Sequence, residues 1–311
     1  FFLYYVKAYL LLRKKNIQLI NVHSLSTLPL GLILKITHGS KLIYDTHELE
    51  TETQNTNGFR KIIARIVERL FIFRADHIFV VSESIADWYA AEYEIKRPTV
   101  VLNAPLYRRI VKKDLFREKF GIRRDQTIFL YQGVLSDGRG VKEILNVFRE
   151  KRDGSVVVFL GYGQLEQHVR EQASLYANIF FHPAVSTKFL LDFTSSADVG
   201  LALTENNSLS HDYCMPNKLL EYAMSGLPLI TSNTKDMSQF IIQRNMGIAA
   251  KDVTPVAINN AIDALLSGDL VNFSKNASHA AAENSWEVQE KKMLAVYRKI
   301  GFCLVSESDV Q

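Results

Sequence analysis

The chain predicts an α/β protein built from two doubly wound parallel-sheet domains, Rossmann-like in kind. Short apolar runs alternate with helical stretches along most of its length, the pattern of βα units. The connections between them are short, which suits a parallel sheet covered on both faces. Two such series occur, and 311 residues leave room for two domains. The expected division is 1–107 for the first domain, 108–285 for the second, and 286–311 for a closing helix and tail. Two such domains facing each other would form a cleft at the C-terminal ends of their strands, where ligands of this architecture bind.

The first series opens on a greasy helix from Phe1 that ends on Arg13, Lys14 and Lys15. We read it as a core helix, with an interfacial membrane helix as the other reading. Residues Ile17 to His23 form a strand, Leu28 to Ile36 a helix, and Lys41 to Asp45 a strand. A polar loop from Thr46 to Gly58 leads to an amphipathic helix, Phe59 to Phe73. The strand His77 to Val81 follows. Ser82 then caps a helix with Ile85, Trp88 and Tyr89 on its buried side. Thr99 to Leu102 is the last strand before Asn103-Ala104-Pro105.

Tyr107 to Arg124 is rich in arginine and lysine and reads as a solvated helix in a linker. Strands of the second series are expected at Thr127–Gly133, Ser155–Leu160, Ile179–Phe181, Asp198–Leu203 and Leu229–Thr231. Its helices are expected at Val141–Arg149, Leu165–Tyr176, Thr187–Ser195, Met237–Arg244 and Pro255–Leu266, with an amphipathic closing helix at Trp286–Ile300. The most specific segment runs from Asp212 to Pro228: a loop, a short helix and a sharp exit into a strand. Pro216 suits a helix start, Gly226 the position after its end, and Pro228 keeps it from resuming.

Composition excludes several classes. A hydrophobic share of 47% with 23% charged residues is that of a globular protein. A net charge of +4 makes no case for nucleic acid, though mild attraction to an anionic membrane surface stays open. Cys214 and Cys303 are the only cysteines, too few for a disulfide framework or a zinc site, so a reducing, cytoplasmic compartment is expected. No apolar run has the length that spans a bilayer. Gly161-Tyr162-Gly163 is half a dinucleotide fingerprint, because Glu166 stands where the third glycine belongs. His47-Glu48 lacks the second histidine of a zinc protease.

Positive signals sit at strand ends. After Gly133, the loop Ser136 to Gly140 lets backbone N–H groups approach a phosphate, and Arg139 adds a bidentate cation. Alone, that loop also reads as a plain turn. Lys218 and Glu221 are three residues apart on one helix face. Together with Gly161 and Gly163, these groups would converge on one crevice, with two cations for a diphosphate and a carboxylate for a ribose. In the first domain, His47 lies at a strand end within Asp45-Thr46-His47-Glu48 and could meet a reacting sugar or an acceptor. His23 ends another strand, and Ser82 could serve both a helix and a ligand.

These segments resemble glycosyltransferases of the GT-B fold, in the large group 1, GT4-like family. The likeness runs from about Ile17 to Ile300. It is carried by Tyr44 to Glu48, Val80 to Ile85, Val101 to Pro105, Gly133 to Gly140, Leu160 to Gly163, Ala197 to Leu201, and above all Met215 to Tyr222 with Gly226 to Pro228. Trp286 to Gln289 and Tyr297 resemble the family's closing helix, which crosses back onto the first domain. The resemblance implies that Glu221 binds the ribose, Arg139 and Lys218 the diphosphate, Gly133 a phosphate by its backbone, and Pro183 to Val185 the base. It places His47 near the transferred sugar. It implies retaining transfer from a nucleotide sugar, here a UDP-sugar, without a metal or other cofactor. The acceptor would be a glycan or lipid-linked molecule in surface polysaccharide assembly, at the inner face of the cell membrane.

Three departures stand out. Eight positions before Glu221, where the family often has a second glutamate, stands Tyr213. Asp212 beside it would point elsewhere if the segment is extended. Val134 occupies the place of a basic residue after the donor-loop glycine. The family's opening strand and glycine-rich loop are not seen before the first helix, so the first domain is expected to be incomplete. A non-catalytic relative that binds nucleotide or a partner is therefore the alternative function, and a GT-B-type epimerase a third.

Overall fold

The structure is a computed structural model, and it describes residues 2–151 and 153–302. The chain divides into two compact units, and both are discontinuous in sequence. The first comprises the chain up to Leu102, the segment Ser208–Tyr213 and the chain from Val288 onward. The second comprises Asn103–Asn207 and Cys214–Glu287. Cys303 and the rest of the tail lie outside the described residues.

The first unit contains α1 (Phe2–Leu12), β1 (Leu19–Val22), α2 (Leu28–His38), β2 (Lys41–Thr46), α3 (Gly58–Phe71), β3 (His77–Val80), α4 (Glu83–Tyr93) and β4 (Thr99–Val100). Its four strands form one parallel sheet in the order β1-β2-β3-β4. Ser82 caps α4 by accepting the Ile85 N–H at 3.3 Å, as its position before the helix predicts.

Helix α3 departs from the expected packing. Its inward side is polar. Glu68 is fully buried and accepts hydrogen bonds from Tyr44, Tyr89 and Tyr93 at 3.1, 2.6 and 2.7 Å. Lys61 and Arg65 close on Glu52 at 2.6 and 2.7 Å. Burial pushes the Glu68 carboxyl up from its ordinary value, and the tyrosine hydrogen bonds only partly oppose that. Burial also pushes Glu52 up, but the hydrogen bonds from Lys61 and Arg65 outweigh it and leave the carboxyl low. Phe59, Ile62, Ile63, Ile66 and Leu70 of α3 face outward.

The second unit begins with α5 (Leu115–Phe120) and continues through β5 (Ile128–Val134), α6 (Val141–Glu150), β6 (Val156–Tyr162), α7 (Glu166–Leu175), β7 (Ile179–Pro183), α8 (Thr187–Thr194) and β8 (Val199–Ala202). A single turn, α9 (Leu209–Asp212), belongs to the first unit. The second unit resumes with α10 (Asn217–Met224), β9 (Leu229–Ser232), α11 (Lys235–Gln243), β10 (Gly247–Ala250), α12 (Pro255–Leu266) and α13 (Leu270–Glu283). The last helix, α14 (Trp286–Lys299), passes from the second unit into the first. There Gln289 accepts the Leu102 N–H at 3.1 Å, and Tyr297 meets the edge of Phe79.

The six parallel strands of the second unit run β10-β9-β8-β5-β6-β7. Strand order therefore reverses between β5 and β8, the place where doubly wound sheets bind ligands. The core is apolar on both faces of this sheet: Val156 to Phe159 are all fully buried, as parallel strands require. The basic stretch before β5 is tied down, not solvated throughout. Lys112 and Arg117 pair with Asp198 at 2.6 and 2.7 Å, and Arg108 with Asp192 at 3.0 Å.

Strand β10 and helix α13 were not anticipated. Gly247 to Ala250 carries little β-branched or aromatic signal. Helix α13 packs through Ala277, Ala280 and Ala281, small residues that a search for large apolar stripes passes over. Among the described residues, no helix is long and apolar enough to cross a membrane.

Candidate functional site

Helix α10 is held from three sides. Its C-terminal end is a Schellman turn: Gly226 adopts φ 70°, the Leu227 N–H donates to Tyr222 O at 3.0 Å, and the Gly226 N–H donates to Ala223 O at 2.9 Å. Helix α13 clamps that turn, with Ser274 Oγ donating to Gly226 O at 2.7 Å. Leu219, Leu220, Ala223 and Met224 are buried against the domain. Pro216 sits one position before the helix, with Asn217 first.

The third restraint is Tyr222. Strands β5 and β8 pair only at Phe129–Val199 and Leu130–Gly200 before they part. The Tyr222 hydroxyl fills the fork. It accepts the Gln132 N–H at 2.8 Å and lies 3.0 and 3.2 Å from the carbonyls of Leu130 and Leu201. Gly200 makes this possible, since a Cβ there would stand 2.5 Å from the Tyr222 ring.

Beside this fork lies a cavity of about 340 Å³, within the size of small-molecule sites. Gly133, Arg139, Gly161, Val185, Asn217, Lys218 and Glu221 all line it. Gly161 must lack a side chain, because a Cβ would lie 1.9 Å from Gly133 O. Gly163 does not line the cavity. It closes against the Leu135 backbone, where a Cβ would lie 2.5 Å from the carbonyl oxygen, so its part is to shape the loop.

Lys218 is the unusual member. Its Nζ is buried and has no hydrogen-bond partner, and it sits 4.0 Å from the centroid of the Tyr131 ring. Burial first, and then the nearby Arg139 charge, pull its pKa from 10.5 to about 7, with Glu221 opposing. Burial raises the Glu221 carboxyl above its ordinary value, and hydrogen bonding to Gln132 and the Lys218 charge offset part of that. Glu221 is oriented by a relay: Thr194 Oγ1 donates to Gln132 Oε1 at 2.8 Å, and Gln132 Nε2 donates to Glu221. Sequence reasoning missed Gln132, Thr194 and Tyr222 as parts of the site. Gln132 left a readable sign, a polar residue directly after the apolar run Ile128 to Tyr131 of the same strand. A buried cation without an acceptor, a second cation and an oriented carboxylate suit a ligand with phosphate at one end and hydroxyls at the other. Burial pushes the Cys214 thiol up to about 11, so it offers no thiolate near neutral pH.

The remaining predicted residues lie in the first unit. His47 Nε2 is 3.2 Å from His23 Nδ1, and the rings stack with 5.3 Å between centroids. His23 Nδ1 is 3.4 Å from an Asp45 carboxylate oxygen. One ligand atom from each of the three lies within 4.8 Å of the others, a set that could hold a divalent cation. Ser82 both caps α4 and donates to Tyr213 O at 2.7 Å. The segment before Cys214 is not extended: Ser208 caps the turn α9 by accepting the His211 N–H at 3.2 Å. Tyr213 thus belongs to the first unit and does not line the cavity beside α10.

Residues 112–284 match the family described as glycosyl transferases group 1, and residues 1–104 match Glycosyltransferase Family 4. No curated protein matches this chain in sequence. Among solved structures, HepE of Anabaena in complex with UDP and glucose is similar at a TM-score of 0.75 and 12% identity, covering 94% of this chain and 80% of that one. Sucrose-phosphate synthase of Thermosynechococcus elongatus is similar at a TM-score of 0.76 and 17% identity, covering 96% and 77%. A glycosyltransferase of Rickettsia africae is similar at 0.72 and 14%, covering 95% and 80%. Both parallel sheets fit the two-domain GT-B fold of these neighbours.

Proposed function

Since this chain belongs to the group 1 glycosyl transferases and is a GT4-like transferase, we propose that it moves a sugar from a UDP-sugar, with retention, to a glycan or lipid-linked acceptor. The reading places this step in cell-surface polysaccharide assembly, on the cytoplasmic side of the cell membrane with peripheral contact to it. The observation that carries the donor assignment is Lys218 Nζ, buried and without a hydrogen-bond partner in a cavity it shares with Arg139 and Glu221. A diphosphate would supply the missing acceptor atoms, and the N-terminus of α10 favours the same charge. Glu221 would accept from the ribose hydroxyls, and the base would lie toward Val185. HepE, similar in fold, is described in complex with UDP and with UDP-glucose, which favours uridine as the nucleotide.

When the bond from the sugar to the diphosphate breaks, negative charge grows on the departing oxygen. Lys218 and Arg139 would neutralise it, a role other enzymes give to a metal ion. His47, beside His23 and Asp45, is assigned to the sugar and acceptor side.

The test is UDP binding and UDP release from a panel of UDP-sugars. Arg139→Ala and Glu221→Ala should each weaken UDP by a free energy of about 2–5 kcal/mol if the contacts are buried. Unchanged affinity in both variants would sink the donor site. Treatment with EDTA should leave transfer intact; a loss restored by added Mn²⁺ or Zn²⁺ would assign a metal to His23, Asp45 and His47 instead.

A second reading, binding without transfer, is favoured by one observation. Tyr213 takes the place of a family glutamate, and its carbonyl is engaged by Ser82. Under that reading UDP raises the melting temperature, while no UDP-sugar in the panel yields UDP.

A further inference from the structure

Helix α3 is amphipathic with its sides reversed. Phe59, Ile62, Ile63, Ile66 and Leu70 recur at spacings of three and four, which puts them on one face. That face is in solvent: Phe59 is 75%, Ile66 53% and Leu70 65% exposed. The helix cannot roll to bury it. Turning would pull Glu68 away from three tyrosine hydroxyls and Lys61 and Arg65 away from Glu52. The stripe is therefore held outward by a satisfied polar underside. A contiguous exposed apolar face of this kind marks an interaction surface.

The charge beside the stripe says what it meets. Arg60 and Arg69 are exposed on α3, and neither has a carboxylate partner among the described residues. Helix α1, which packs on α2 as α2 packs on α3, exposes Leu3, Leu10 and Leu11. It runs into Arg13, Lys14 and Lys15, and the sequence contains no acidic residue before Asp45. Apolar residues flanked by free cations match an anionic lipid surface. Pairing α3 with a second copy about a two-fold axis would instead set the same arginines near each other, with no acid on the stripe to separate them.

We infer that the outward face of α3 docks this protein on an anionic bilayer. This deepens the membrane-contact part of the proposed function and does not rest on the donor site. The stripe dips into the lipid at headgroup depth, while Arg60 and Arg69 meet lipid phosphates. The helix is about 21 Å long, so it lies along the surface and does not span it.

The test is co-sedimentation of the intact chain with phosphatidylcholine vesicles, with and without phosphatidylglycerol. The wild type should bind the anionic vesicles and leave them as salt rises. Ile66→Asp combined with Leu70→Asp should lower binding by about tenfold or more. Arg60→Gln and Arg69→Gln should each cost roughly fivefold on anionic vesicles only. All these positions are exposed, so an unchanged circular dichroism spectrum is expected. UDP affinity, measured without lipid on the same samples, separates a failure here from a failure of the donor site. Three results would overturn the inference: no binding of the wild type to anionic vesicles, undiminished binding of the Ile66/Leu70 variant, or a wild-type dimer that this variant converts to monomer.

Discussion

Lys218 gives the donor site a pH signature. In the free protein its amine titrates near 7 because it is buried beside Arg139. A bound diphosphate favours the ammonium, so binding at higher pH must take up a proton. UDP affinity should fall as pH rises above 7, by about tenfold at pH 8 relative to the acid limit. Calorimetry in buffers of different ionisation heat should show proton uptake, and Lys218→Met should abolish both effects. The same shift affects stability of the free protein. The folded-state pKa lies below the unfolded one, so below 7 the cost of a buried charge is present in full. Stability from this group then rises with pH between about 7 and 10.5, where the unfolded chain holds the extra proton. An affinity flat from pH 6 to 9 would show that Lys218 does not meet the phosphate.

Tyr222 does for the sheet what neither strand can do alone: it satisfies backbone groups where β5 and β8 have already parted. Tyr222→Phe leaves the Gln132 N–H buried without an acceptor and should destabilise the fold by about 1–3 kcal/mol in urea unfolding. UDP binding should weaken with it, because Gln132 also orients Glu221. Elements such as β6 and α10 were legible in sequence because their signals are local: a short apolar run and a proline–glycine frame. The cavity-lining cations and Glu221 were legible for the same reason, being fixed by spacing on one short helix and one loop. The fork was not, since Tyr222 serves carbonyls far away in sequence. Nor was the reversal of α3, whose periodicity marks an apolar face without saying which way it points. That direction is decided by Glu68 and its three tyrosines, contributed by β2 and α4.

At the scale of the molecule, the first unit depends on its last contributor. Val288 onward supplies the buried Gln289 to the Leu102 N–H and Tyr297 to Phe79. A chain ending at Glu287 should therefore lose protease resistance in residues 1–102 first, while UDP still raises the melting temperature of the second unit. Equal sensitivity of both units in limited trypsin digestion would contradict this. The same segment order governs what happens as the protein leaves the ribosome. Synthesis delivers the four strands of the first unit early, but its remaining pieces arrive only with Ser208–Tyr213 and then after Glu287. The second unit starts later and has its full set of residues at Glu287. The half translated first is thus the half completed last. The surface that those late pieces cover must wait unfinished while the other half is made, the interval in which a nascent chain most needs a chaperone.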